Sequence, residues 1–241
     1  MTQTVLLVDA GADPMEDLAA RLRALGYRTV RAKSVEEGLS VLSDPRFVVG
    51  SALIPPDLPA LDLERALHAF RSAQPDAVLP LLAVGRRPDA DHRARMRRAG
   101  VEWALWRPID DHTLRFQVNR ALAGGGPAVS NRRSPRVPAS WPVKLTIGTR
   151  EKPAKLYALS ATGAFLATPR PSMPRALLYL SVPLPAGDIR VGGRVVMTNV
   201  PGNLARANLP IGMAVRFTGH PPETERLLAS WVEERAEALR V

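Results

Sequence analysis

Two arginines, Arg132 and Arg136, stand at R-x-x-x-R spacing in the run Asn131, Arg132, Arg133, Ser134, Pro135, Arg136. A guanidinium is a planar fork of donors, so two of them on a Pro-containing, poorly helical segment can close on a phosphate or a purine edge as the segment wraps a ligand. Arg133 between them adds charge. Further along come Ala158, Leu159, Ser160, Ala161, Thr162 and Gly163, where a strand is expected to end in a turn. Ser160 offers a hydroxyl there, and Gly163 a position without a side chain. The chemistry these residues suit is non-covalent capture of an anionic, nucleotide-like ligand. No nucleophile paired with a base and no phosphate-cradling glycine loop accompanies them, so no enzyme is expected.

Composition removes further classes. The chain of 241 residues has no cysteine, which excludes disulfides, thiol chemistry and cysteine metal sites together. Its four histidines, His68, His92, His112 and His220, are scattered; no metal and no cofactor is expected. No apolar run approaches the roughly 18 residues of a membrane span, and Met1 to Thr4 lacks the start of a signal peptide. A cytoplasmic protein without membrane insertion is expected.

Charge is uneven. Residues 1–123 carry 17 basic and 16 acidic side chains, whereas the remainder carries 16 basic and 7 acidic, giving most of the formal net charge of +10 to the second part. Five of those seven acids, Glu223, Glu225, Glu233, Glu234 and Glu237, fall in one expected helix. The rest of the second part therefore presents a cationic surface suited to an anionic ligand. Nucleic acid would fit the charge alone, but no helix-turn-helix or other reading element accompanies it.

The elements that must position these residues fall into two groups. Thr4–Asp9 is a short apolar run ending in an acid, read as a buried parallel strand. Asp13 is read as the cap of a helix carrying Met15, Leu18, Leu22 and Leu25, closed by Gly26. Strands over 27–32, 47–52, 78–84 and 103–106 alternate with helices over 35–42, 61–70, 89–99 and 113–122. Five strands alternating with five helices predict an α/β domain with a doubly wound five-stranded parallel sheet over residues 1–123.

This order, with Arg107-Pro108 after the fifth strand, resembles a response-regulator receiver domain over residues 4–122. The resemblance implies a phosphorylation site, and its positions fall on Asp9, Ala10, Ser51, Gly85 and Arg107, with Ala104 at the aromatic switch position. One carboxylate is too few hard oxygen ligands for Mg²⁺, and a serine cannot become an acyl phosphate. The domain reads as a pseudo-receiver, a scaffold or docking domain, with helix four carrying the basic run Arg93, Arg95, Arg97 and Arg98.

Gly124, Gly125, Gly126 and Pro127 open a linker over 124–130. Beyond it the pattern turns all-β: runs at 143–147, 155–160, 164–168, 177–182, 188–199 and 212–217, separated by Pro and Gly, predict a small antiparallel β-barrel over 131–221. Gly192-Gly193 is expected to bend the fifth run. A C-terminal helix occupies 222–241, with Leu227, Leu228, Trp231 and Val232 on one face, to cap the barrel or to join a second copy.

The arginine spacing and the Ser160…Gly163 turn resemble the PilZ family over residues 131–219, as do Gly163–Leu166 and Gly212–Phe217. The resemblance implies cyclic di-GMP as ligand, held by Arg132, Arg133, Arg136, Ser160 and Gly163. Ala158 stands where that family has Asp or Asn. Two readings follow. One is a non-catalytic bacterial signalling protein, a cyclic di-GMP effector with a non-phosphorylatable receiver-like domain. The other is a ligand-free adaptor that binds a protein partner of a signalling or motility pathway. Monomer and homodimer both stay open.

Overall fold

The computed structural model describes residues 4–58, 63–73, 78–123, 134–185, 187–202, 204 and 209–241. The expected linker 124–130, Asn131, Arg132 and Arg133 lie outside the described residues, as do residues 203 and 205–208 of the 201–210 loop. The chain divides into two units, one of residues 1–131 with 239–241 and one of residues 132–238.

The first unit is a parallel sheet with helices between its strands. In chain order it runs β1 (Thr4–Val8), α1 (Glu16–Ala24), β2 (Arg28–Ala32), α2 (Val35–Ser43), β3 (Val49–Ile54), α3 (Leu63–Ser72), β4 (Leu81–Gly85), α4 (Ala90–Arg98), β5 (Trp103–Trp106) and α5 (Asp111–Leu122). The strand order is β2-β1-β3-β4-β5, all pairs parallel. Every residue of β1 is buried because helices cover both faces of the sheet. Leu6 and Val8 enter one core with Phe70 and Met96, while Val5 and Leu7 enter the other with Leu22, Leu114 and Val118.

Short polar side chains start three of the helices. Ser34 accepts from the N–H of Glu37 at 3.2 Å, Asp89 from His92 at 2.7 Å, and Asp110 from Thr113 at 2.8 Å. Each satisfies an orphan donor of a first turn. The expectation for Asp13 fails. Met15 occupies the cap position of α1 without a side-chain bond, and its N–H donates to Asp9 Oδ1 at 2.9 Å. Asp13 faces Arg86 and Arg107 instead.

The second unit comprises β6 (Val137–Pro138), β7 (Pro142–Ile147), β8 (Arg150–Ser160), β9 (Gly163–Ala167), β10 (Leu177–Leu184), β11 (Gly187–Asn199), β12 (Gly212–Thr218) and α6 (Pro222–Ala238). Strands β8-β7-β10-β11-β12-β9 pair in sequence and β9 returns to β8, closing a six-stranded antiparallel barrel with β6 added on β8. Closure removes the free edges that a small open sheet would expose. Inward residues such as Leu145, Leu156, Leu166, Leu180, Val191, Val195 and Val215 are buried.

The glycine pair makes no bulge in β11. Gly192 and Gly193 stay in register with both neighbours, and the irregularity falls between Val195 and Met197. The pair serves barrel packing: a Cβ on Gly193 would stand 2.4 Å from Val215 Cγ1, and one on Gly192 would stand 2.8 Å from the Thr218 carbonyl. α6 packs against β6 and β8 through Leu228, Val232 and Ala236, with the Trp231 ring 5.0 Å from Trp141; Leu227 is exposed. The helix ends at Ala238, and residues 239–241 belong to the first unit. Among the described residues no helix is long and apolar enough to cross a membrane.

Candidate functional site

In the second unit, β8 is long enough to serve two partners at once. Its first half pairs with β7 and its second half with β9, while β6 lies along its other side with Val137 opposite Leu159 and Pro138 opposite Ala158. The segment before β6 is tied down at its start. Ser134 Oγ accepts from the N–H of Ala161 at 3.2 Å and donates to the Pro135 carbonyl at 3.2 Å. Continuing the β6–β8 register by one residue sets Arg136 level with Ser160. Arg136 is exposed beside the turn.

The turn itself is a two-residue connection, Ala161-Thr162, between Ser160 and Gly163, which are cross-strand partners. Ser160 is buried and donates its hydroxyl to the Gly163 carbonyl at 3.0 Å, closing the turn from inside. Gly163 lies against β12, where a Cβ would stand 2.4 Å from the Val215 carbonyl oxygen, so no other residue fits without moving the strand. The Thr162 carbonyl accepts from Phe217 N at 2.9 Å. Ser160 and Gly163 are therefore needed by the barrel whether or not a ligand is bound.

The structure thus brings Arg136, Ser134, Ser160 and Gly163 to one end of the β6-β8-β9 surface. It adds a cation that the sequence did not reveal: Arg216 on β12 is the cross-strand partner of Gly163 and is exposed. Only the non-local β9–β12 pairing places it there. Ala158 is 4% exposed, between Pro138 and Phe165 of the neighbouring strands. Its methyl contributes to packing and offers no acceptor. Arg132 and Arg133 lie outside the described residues.

In the first unit the carboxyl rim of the sheet holds the positions named above for phosphorylation, with one correction. Ser51 is not at the rim: it sits within β3, 0% exposed, paired with Val5 of β1, and its hydroxyl has no hydrogen-bond partner among the described residues. Continuing the β1–β3 register from Leu7–Leu53 sets Asp9 opposite Pro55. The rim place at the end of β3 is therefore held by Pro55 and Pro56. A Cβ on Gly11 would stand 2.6 Å from Pro55 Cβ, and one on Gly85 would stand 2.9 Å from Pro56 Cδ. The sequence expectation ended this strand at 52, whereas the apolar run carries it on to Ile54.

The remaining rim groups are committed to one another. Asp9 pairs with Arg31 at 2.5 Å and caps the entry to α1 through Met15 N. Asp57 accepts from Ala12 N at 2.8 Å. Arg107 lies 3.6 Å from Asp13 and donates to the Pro14 carbonyl at 3.3 Å, and Arg86 lies 3.8 Å from Asp13. Ala10 is partly buried against the core and Ala104 is fully buried. No group of three or more metal-capable side chains occurs among the described residues. A cleft of about 510 Å³ opens beside this rim, lined in part by Asp17, Arg21, Arg86 and Arg107. Its charges nearly balance, since Arg21 is already held by Asp111 and the Ile109 carbonyl.

Residues 130–234 match the PilZ domain family. The first half is similar in structure to receiver domains. One is a putative response regulator from Chloroflexus aurantiacus, 27% identical, covering 51% of this chain and 99% of that one, with a TM-score of 0.45. Another is the receiver domain of a sensor histidine kinase from Pseudomonas aeruginosa, 23% identical, covering 51% and 99%, with a TM-score of 0.44. The Bacillus subtilis inhibitor of motility MotI/DgrA is 18% identical, covering 46% of this chain and 53% of that one, at a TM-score of 0.38. None of the curated proteins compared with the chain matches it.

Proposed function

We propose that this chain, with a PilZ domain behind a receiver-like one, is a non-catalytic signalling protein of a bacterium and an effector of cyclic di-GMP. The observation that carries the reading is the placement of Arg136 beside the Ser160–Gly163 turn, with Ser134 tying the arginine-bearing segment to Ala161. A phosphodiester arriving at this end meets Arg136 beside β8 and Arg216 on β12, two exposed arginines in one cross-strand row with Ser160 and Gly163 between them. On this reading Arg132 and Arg133 join Arg136 in holding the ligand. The receiver-like unit takes no phosphate: two prolines hold the rim, Asp9 is neutralised by Arg31, and input enters through the ligand or a protein partner. Isothermal titration with cyclic di-GMP tests this; saturable binding that Arg136→Ala removes is the expected result.

A second reading rests on Ala158. Its methyl is packed under β6 and cannot replace the carboxylate or amide contact to a guanine edge, a loss of about 1–3 kcal/mol for one polar ligand contact. On this reading both units are protein-interaction surfaces and the chain is a ligand-free adaptor. Ala158→Asp separates the two: binding that appears only in the variant identifies the adaptor.

A further inference from the structure

Residues 239–241 lie extended along the free edge of β5, where Arg240 and Trp103 form an isolated antiparallel bridge. Backbone bonds run from Ala104 N to the Leu239 carbonyl at 2.9 Å and from Val241 N to the Glu102 carbonyl at 3.1 Å. The two flanking helices add side-chain donors. Gln117 of α5, 1% exposed, divides its amide between the carbonyls of Ala104 and Leu239, each at 3.1 Å. Arg97 of α4 donates to the Val241 carbonyl at 2.6 Å, and Trp106 Nε1 to the Arg240 carbonyl at 3.3 Å. Each carbonyl of residues 239–241 therefore has a donor.

The side chains are also fitted. Val241 is 1% exposed and joins the core cluster that contains Met96, Val101 and Ala104. The Arg240 guanidinium stands 5.8 Å from the centroid of the Trp103 ring, which Arg120 approaches at 3.2 Å. Three residues make few contacts of their own, whereas the β5 edge supplies a buried glutamine, an arginine and an indole to receive them. An edge strand left bare would expose Glu102 C=O and Ala104 N–H as a template for any extended chain.

We propose that the β5 edge between α4 and α5 is a strand-acceptor site for an extended segment of the pattern apolar–Arg–apolar, closed by the chain's own residues 239–241. A partner protein presenting that pattern binds by displacing them. Main-chain pairing supplies the affinity, and the Val241 pocket with the Trp103 face supplies the selectivity, as in strand addition to a sheet edge generally.

The test uses the full chain and a version lacking residues 239–241, titrated with a fluorescein-labelled peptide of the 234–241 sequence, Glu-Arg-Ala-Glu-Ala-Leu-Arg-Val. The shortened chain is expected to bind the peptide at least about tenfold more tightly than the full chain, and to lose about tenfold with Gln117→Leu or with Glu at the Arg240 position of the peptide. Should circular dichroism show the shortened chain unfolded, the full chain with Val241→Asp takes its place, since it expels the segment without removing it. Absence of peptide binding to the opened chain, equal binding to the full chain, or self-association of the opened chain that excludes the peptide overturns the proposal.

Discussion

Ser134 Oγ accepts a hydrogen bond from the backbone N–H of Ala161 across 3.2 Å, and that bond holds the arginine-bearing segment on the hairpin turn. Removing it frees the segment without touching either guanidinium. Ser134→Ala is expected to cost about 1 kcal/mol of stability and to weaken cyclic di-GMP binding about fivefold, because the segment must then be ordered by the ligand. Chemical denaturation and calorimetric titration measure the two effects separately; unchanged affinity would show that the strap is not part of the clamp.

Gly163 leaves no room for a methyl, with the Val215 carbonyl oxygen 2.4 Å from where it would stand. Gly163→Ala is expected to destabilise the barrel by about 2 kcal/mol or more, as overpacking of a fixed backbone does. A fall in the urea midpoint with cyclic di-GMP absent from the buffer would establish that the glycine is a barrel requirement first.

Ser51 and Pro55 separate the interior of β3 from its end under the same substitution. Ser51→Asp buries a carboxylate within β3 and is expected to unfold the first unit, a cost of several kcal/mol. Pro55→Asp also puts a carboxylate on a buried residue, but at the end of the sheet opposite Asp9, and is expected to destabilise the first unit less than Ser51→Asp does. Ser51→Ala removes a buried hydroxyl that has no partner among the described residues and is expected to be neutral or slightly stabilising. Circular dichroism of the three variants decides the point.

Much of this was legible in the sequence. Apolar runs such as Leu6–Val8 and Leu81–Val84 announce a sheet covered on both faces, and the alternation from Val143 to Phe217 announces a barrel. The rim was harder. The strand ends two residues later than expected because Leu53 and Ile54 continue the apolar run, so Ser51 falls inside β3 and Pro55 stands opposite Asp9. Arg216 could not be found from the sequence, because it reaches the turn through the non-local pairing of β9 with β12. Residues 239–241 carry no periodicity of their own, so their pairing with β5 is visible only in three dimensions.

Asp110 gives the first unit an acid dependence. Burial alone would raise its pKa, but hydrogen bonds from the N–H and Oγ of Thr113 and the nearby His112 outweigh burial and hold the carboxyl below its ordinary value. The folded state thus binds its proton less readily than the unfolded chain. The stability this supplies is fully present above the ordinary carboxylate pKa and is lost as pH falls through the depressed value. Asp110→Ala is expected to cost about 1 kcal/mol at neutral pH and to flatten the loss of stability on acidification. An unchanged acid limb in a denaturation series would assign the dependence to another group.

The central claim is that Arg136, beside the Ser160–Gly163 turn, captures cyclic di-GMP. Its most direct test is isothermal titration of the full chain and of Arg136→Ala at near-physiological salt, with Ala158→Asp as the gain-of-contact variant. Saturable heat from the full chain, loss of at least about tenfold in affinity with Arg136→Ala and a gain of similar size with Ala158→Asp are the predicted results. No heat from the full chain at protein concentrations of about tens of micromolar would contradict the account, and binding that appears only with Ala158→Asp would make the natural chain the ligand-free adaptor.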